Sequence, residues 1–378
     1  MSPTFTLSWE LLLHTPTFTL RRASRFLVAE LLVPHVILST SVRNGGQVDG
    51  LRFVVNHQSC EGSGHLERHD VISGRGQEAY HDLTCDEMGL PATEVSLMGT
   101  AANMNYAAVV TAEDEGVTVT AVVTAGVQGN ACCAGDPAAW REGEKGWQKV
   151  GGTINTMLLI NRSLTAGAMA RAAVTMTEAK SAALQRLAVR SRYSKDAATG
   201  TGTDQYAMAA PSVTEGLAAL TSTSPHVKLG ELIGTSVRDA TLEALRWQNG
   251  LEPSYTRGIF SALGVYGLKE ETFFTDIAPF VSESDLELMR KNSKSVFYEP
   301  LVGAAAFGMA AVLDRQRYGA VPDSTAQEAI RHQAATMAAS LAAKPYLWET
   351  FRGQLTEQDP ARLALEAIAM GWAAKWRD

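Results

Sequence analysis

The 378-residue sequence is short of cysteine, of basic charge and of long apolar runs, and each shortage excludes something. Four cysteines, two of them adjacent as Cys132 and Cys133, make neither a disulfide framework nor a C-x-x-C metal pattern, so a reducing cytoplasm is the expected compartment. Lys and Arg number 33 against 40 Asp and Glu, and the net charge of -7 removes the attraction that phosphate backbones and anionic lipids need. Neither nucleic acid nor a membrane surface is an expected partner. The longest apolar run, Leu301 to Leu313, has 13 residues, where a bilayer span needs about 20. It reads as a buried helix of small residues. Glu10, Arg21, Arg22, Arg25 and Glu30 interrupt everything apolar near the start, so no export leader is expected there. No repeat or low-complexity segment is visible.

What is present suffices for a sizeable core: 46% of the residues are hydrophobic and 19% charged. From about 33 to 160 the apolar residues fall into short β-branched runs bounded by Gly, Asn or Asp: VILSTSV (36–42), LRFVVNH (51–57), YAAVVTA (106–112), VTVTAVVTAGV (117–127) and INTMLLI (154–160). These predict a sheet. From Thr165, an N-cap, the period becomes helical through Met169, Ala172, Met176, Ala179, Ala183 and Leu187, predicting one long helix to about 190. The loop SKDAATGTGTD (194–204) leads to a candidate strand QYAMAAP, and LGELIGTSVRDATLEALRWQ (229–248) predicts a second helix. Asn249, Gly250 and Pro253 then punctuate the chain, and 282–292, 301–318, 325–343 and 359–376 are helical in pattern. The expected fold class is α/β, a layered α/β sandwich over residues 1–252, followed by a mostly helical domain over 253–378.

Candidate chemistry concentrates in glycine-marked turns: GTAANMNYA (99–107), TAGVQGNACCAGD (124–136) and GGTIN (151–155). Gly permits close backbone approach, and neighbouring Asn or Thr supplies hydrogen bonds of the kind an oxyanion or amide site uses; ordinary turn chemistry is the other reading. ATGTGTD (198–204) lacks the ending of a nucleotide-binding loop, leaving a ligand-binding loop anchored by Asp204 or a plain capped turn. His57, His65, His69 and His81 cluster, yet SCEGSGHLERHD is rich in loop residues, so a solvated loop is favoured over a metal site. His226, just before a helix, is an isolated acid-base candidate. Glu178 would point to function only if buried; its other reading, with Lys180, is a solvated helix face.

Taken together, LSTSVRNGG (38–46), VVNH (54–57), GTAAN (99–103), VTAGVQGNACCAGD (123–136), GGTINTMLLINRSLT (151–165), TEAKSAALQ (177–185), ATGTGTD (198–204) and HVKLGELIG (226–234) resemble, in this order, the adenosylcobinamide amidohydrolases of the CbiZ type. The resemblance spans about residues 30–250. One departure is Cys132–Cys133, where the family usually has Ala and Arg. The resemblance implies hydrolysis of the amide that joins the aminopropanol arm of adenosylcobinamide to the corrin ring, giving adenosylcobyric acid. The corrinoid is then substrate, with no cofactor and no metal required. The departure motivates an alternative, a corrinoid-binding or regulatory protein that has lost catalysis.

A more distant similarity, to the β-aminopeptidase and ornithine acetyltransferase hydrolases, concerns mechanism. It implies self-cleavage at Gly152–Thr153, with Thr153 as nucleophile, its own released amine as base, and Asn130 as oxyanion donor. Unprocessed, Thr153 would need a separate base, for which His226 and Glu178 are the candidates. The residues assigned to substrate are Asn103, Asn155, Thr201, Thr203, Asp204, Gly45 and Gly46. Residues 253–378 lie outside the resemblance; packing on the active site, binding a partner and homo-oligomerisation through the helices are all open to them.

Overall fold

The computed structural model describes residues 7–59, 65–137 and 153–376, the side chains of residues 65–70 and 73 excepted. It divides the chain into two compact units, Met1–Leu251 and Glu252–Asp378.

The first unit holds thirteen strands among the described residues: β1 Glu10–His14, β2 Phe18–Ala23, β3 Phe26–Leu31, β4 His35–Ser39, β5 Gly46–Asp49, β6 Phe53–Gln58, β7 Val95–Thr100, β8 Ala108–Asp114, β9 Val117–Ala125, β10 Ala131–Cys132, β11 Ile154–Ile160, β12 Gly200–Thr201 and β13 Gln205–Pro211. Its long helices are α1 His65–Met88, α2 Ala166–Arg186 and α3 Lys228–Asn249. One sheet runs in the order β1-β2-β3-β6-β7 and the other β5-β4-β13-β11-β9-β8, with β10 and β12 forming a separate short pair.

The alternation of side chains along the strands fixes how these parts stack. In β11, Met157 and Leu159 join Leu20, Leu27, Val54 and Met98 of the first sheet in one core. Ile154, Leu158 and Ile160 instead meet Met169, Met176, Ile233 and Val237 of α2 and α3. Phe53, Val55, Val95 and Leu97, on the far face of the first sheet, pack with Tyr80 and Cys85 of α1. The unit is therefore a four-layer sandwich, helix, sheet, sheet, helices, in agreement with the layered α/β class. Strand β11, buried at every position, lies at its centre.

Three expectations change. Strands begin at Glu10 rather than near 33, because the charges of β1–β3 sit on a sheet surface and pair there, as Arg22 does with Glu10 at 2.8 Å. Residues 65–70, part of the segment read as loop, are helical, and the helix they open is broken at Gly76 (φ 85°). The helix expected to reach 190 ends at Arg186, since Ala188 turns left-handed at φ 53°.

The second unit is helical: α4 Pro253–Thr256, α5 Ile259–Leu263, α6 Phe273–Ile277, α7 Glu283–Lys291, α8 Lys294–Phe297, α9 Pro300–Arg317, α10 Asp323–Ala342, α11 Trp348–Gln354 and α12 Pro360–Lys375. The Leu301–Leu313 run lies within α9, whose buried alanines share one core with α10 and with Trp372 of α12. No described helix is long and apolar enough to cross a membrane.

Because Met157 is fully buried between the two sheets, Met157→Ala is expected to destabilise the protein by about 2–5 kcal/mol, the cost of a buried cavity. Urea denaturation would measure the shift.

Candidate active site

One end of the sandwich gathers polar side chains. The C-terminal ends of β6, β7 and β9 and the N-terminal ends of β11 and β13 all open there, as their registers require: Asn155 lies opposite Thr124 on one side and Gln205 on the other. The odd-numbered positions of β11 face the first sheet, which aims Asn155 into the space between the sheets. Its side chain is fully buried and donates to Asn56 Oδ1 at 2.9 Å and to the Gly99 carbonyl at 3.0 Å. Asn56 in turn donates to Thr124 Oγ1 at 2.8 Å, and Gln205 Oε1 accepts from the Gly99 N–H at 2.9 Å. The two sheets are thus joined by amide hydrogen bonds in a region from which water is excluded, where an unmade bond would be expensive.

Thr153 precedes β11 and is 4% exposed. Its hydroxyl donates to the Thr203 carbonyl and lies 3.3 Å from Asn155 Oδ1, while its own carbonyl accepts from the Gly126 N–H at 3.1 Å. The next amide, Ile154 N–H, donates to Asp204 Oδ1 at 3.0 Å. Asp204 also accepts from Thr201 Oγ1 at 2.5 Å, from Thr201 N–H at 3.1 Å and from Lys180 Nζ.

The alternation of glycine and threonine in ATGTGTD has a steric cause here. A Cβ on Gly200 would stand 2.3 Å from Asp204 Oδ2 and 2.7 Å from Lys180 Nζ, and one on Gly202 would stand 3.1 Å from Asn130 Oδ1. The loop contains glycine where buried polar heads press against it. Asn130 is 1% exposed, and its Oδ1 accepts from Tyr193 Oη at 2.9 Å. The β10–β12 pair ties its turn to the 200–204 loop, Ala131 opposite Thr201 and Cys132 opposite Gly200. Burial, then the nearby carboxylates of Asp204 and Asp136, push the Cys132 thiol up, so it stays protonated at neutral pH.

Of the sequence candidates, the structure brings together Thr153, Asn155, Asn130, Thr201, Thr203 and Asp204. Asn103 joins them at the rim, its N–H held by Gln248 of α3 at 3.0 Å. Gly45 and Gly46 lie at the same end on the β4–β5 turn, two strands from β11. Gly45 is needed there because a Cβ would meet the Ser41 carbonyl at 1.9 Å.

His226 and Glu178 are not brought to Thr153. The C-terminal end of α3 reaches the site through Gln248 and Asn249, whereas Lys228 at its start stands beside Asp114 at the opposite end of the sheet. His226 is exposed just before Lys228, and α3 has 22 residues, or about 33 Å of helix. Glu178 is exposed on α2, lining a shallow cleft of about 570 Å³ with Val174, Ser181 and Tyr206. Lys180, two residues on and some 200° around the helix, points the other way, to Asp204. The His65 and His69 side chains, Glu61 and Gly152 lie outside the described residues; among those described, no group of three or more His, Cys, Asp and Glu could hold a metal ion. Reading the sequence missed Lys180, Asn56, Thr124, Gln205 and Tyr193. Asn56 carried a signal, a polar residue inside the apolar run FVVNHQ.

Two measurements follow. Asn155→Ala orphans buried acceptors on Asn56 and Gly99, with an expected loss of about 1–3 kcal/mol for each, read by urea denaturation. At Asp136, burial works against the charge, but hydrogen bonds from Ser191, Ser194 and the Cys133 N–H outweigh it and hold the carboxyl below its ordinary 3.8. The stability this lends is present above that value and is lost as pH falls through the lower folded one. The stability gap between the wild type and Asp136→Asn should therefore be constant near neutrality and close only in acid.

Comparison with known proteins finds similarity over the first unit. The chain is 35% identical over 186 residues to the uncharacterized protein MJ1613 of Methanocaldococcus jannaschii, covering 46% of this chain and 71% of that one. A solved structure, the PH0078 protein from Pyrococcus horikoshii OT3, aligns over 63% of this chain and 83% of its own at 12% identity, with a TM-score of 0.30 that is too low to bear on the fold. Residues 12–253, nearly two thirds of the chain and all of the site just described, match the model of the family CbiZ, adenosylcobinamide amidohydrolase. The chain belongs to that family.

Proposed function

We propose that the protein hydrolyses adenosylcobinamide to adenosylcobyric acid and an aminopropanol product, with Thr153 as the nucleophile. Family membership supports the reaction class. The observation that carries the residue assignment is the setting of Thr153, a buried hydroxyl at a strand mouth whose proton points at a backbone carbonyl. Among the described residues, no acid-base side chain hydrogen-bonds to that hydroxyl. Of the two candidate bases, His226 stands at the far end of α3 and Glu178 on the outer face of α2. This favours the version in which cleavage at Gly152–Thr153 releases the Thr153 amine to serve as the base.

In this reading the amine takes the hydroxyl proton as Oγ1 attacks the amide carbonyl carbon. The tetrahedral oxyanion is stabilised by the Asn130 side-chain amide, which Tyr193 orients through Oδ1. Collapse transfers the proton to the leaving aminopropanol nitrogen, and water hydrolyses the ester on Thr153. We assign Asn103, Thr201 and Thr203 to the approach of the substrate, with Gly45 and Gly46 on a turn at the same end of the sheet. Each step is assigned to the chain's own groups, so no cofactor enters.

The test is a chromatographic assay of the full chain with adenosylcobinamide, before and after exhaustive chelation, alongside intact mass spectrometry. Turnover unaffected by chelation and two fragments meeting at 152–153 are expected. An active preparation containing only the 40.5 kDa chain would eliminate self-processing. Thr153→Ala should lower kcat by about 10³-fold or more. Tight corrinoid binding with no turnover would replace the hydrolase by a binding protein.

A further inference from the structure

Lys180 and Asp204 form an ion pair in which neither side chain has much water, the two being 13% and 18% exposed. It joins the middle of α2 to the loop before β13. The carboxylate accepts from Lys180, from both donors of Thr201 and from the Ile154 N–H. Ile154 follows Thr153, and Thr203, whose carbonyl accepts the hydrogen bond from the Thr153 hydroxyl, precedes Asp204. The carbonyl that holds the hydroxyl and the amide that follows Thr153 thus both adjoin one carboxylate.

We propose that Lys180 is a positioning residue for Thr153, acting through Asp204 to hold the Thr153 hydroxyl and the adjoining backbone in reactive orientation. The inference rests on the reading of Thr153 as nucleophile. Its argument is electrostatic. Drawing a carboxylate out of water costs free energy that donors must offset, and among the described residues Lys180 supplies the one full positive charge in direct contact. Without it, Asp204 gains by turning toward solvent, drawing Thr203 with it and releasing Ile154. Gly200 leaves room for the pair, because a Cβ there would stand close enough to both charged heads that they would have to shift. Asp204 thus serves the nucleophile rather than the substrate, to which the sequence assigned it. Thr153 touches the reacting atoms; Lys180 does not, and its removal should act on kcat while leaving substrate affinity nearly unchanged.

The experiment compares Lys180→Met, which keeps the stem, and Lys180→Arg, which keeps the charge, in the full chain, measuring adenosylcobinamide kinetics and hydrogen exchange at the Ile154 amide. Lys180→Met should lower kcat by about 10²-fold, the scale of a misplacement near 1 Å, with KM changed less than about threefold and exchange at Ile154 accelerated. Lys180→Arg should recover most of kcat. Unchanged kcat in Lys180→Met, or a loss confined to KM, overturns the proposal. Thr153→Ala, assayed in parallel, separates the two readings. If it abolishes turnover while Lys180→Met does not, positioning alone falls; if it stays active, the nucleophile assignment falls first. Should Lys180→Met not fold, the uncharged pair Lys180→Met with Asp204→Asn replaces it. The side-chain nitrogen of an asparagine cannot accept the Thr201 N–H, so kcat should again fall, and wild-type kcat would overturn the proposal.

Discussion

A strand of seven consecutive buried residues, Ile154–Ile160, has no face on which a polar side chain can be left without a partner. Sheet lies on one side of it and helices on the other, so the Asn155 amide must be answered from within the protein. The answer comes from Asn56, Gly99 and, through Asn56, Thr124. This pins two separate sheets to each other at one end and in one register, since a slip of a single residue would turn the amide into the helix layer. The loops that close over that end are arranged around it, and Thr153 inherits its place from them.

The segment ATGTGTD, which looks in sequence like a ligand loop, owes its two glycines to crowding. At Gly200 and Gly202 the backbone runs against the heads of Lys180, Asp204 and Asn130. The resulting geometry is crowded and dense in hydrogen bonds. Those properties suit the stabilisation of charge that appears during a reaction, because donors already fixed in place need not reorganise.

Much of this is legible in the amino-acid sequence. β-Branched runs locate β4, β6, β8, β9 and β11, and helical periodicity locates α2 and α3, because alternation and the 3.6-residue period are direct consequences of burial on one face. The charged outer face of β1–β3 disguises its strands, since Arg21, Arg22 and Glu30 break the apolar pattern while Phe18, Leu20 and Leu27 keep the core. Composition points to the turns bearing Thr153, Asn130 and Asp204 but not to their convergence. Lys180 is hidden by a sound rule, that a lysine on a helix faces water; only the position of α2 beside the 200–204 loop reverses it. His226 fails for the complementary reason: a residue at a helix start is placed by sequence at one end of α3, but not at one end of the sheet.

The register of β11 bears on what a cut before Thr153 would leave behind. The strand is hydrogen-bonded along its length, from Ile154 opposite Ala125 to Ile160 opposite Val119, and again to β13 from Asn155 opposite Gln205. Strand β9 would belong to the upstream piece, and β11 and β13 to the downstream one. The nicked protein would therefore migrate as one particle wherever it stays folded and resolve into two polypeptides only in denaturant. Reassembly from those pieces becomes a bimolecular event, slowed by dilution, whereas the unbroken precursor folds at a rate indifferent to its own concentration. Cleavage of this kind would convert a reversible folding equilibrium into a largely one-way history, with the mature form sustained by the slowness of its unfolding.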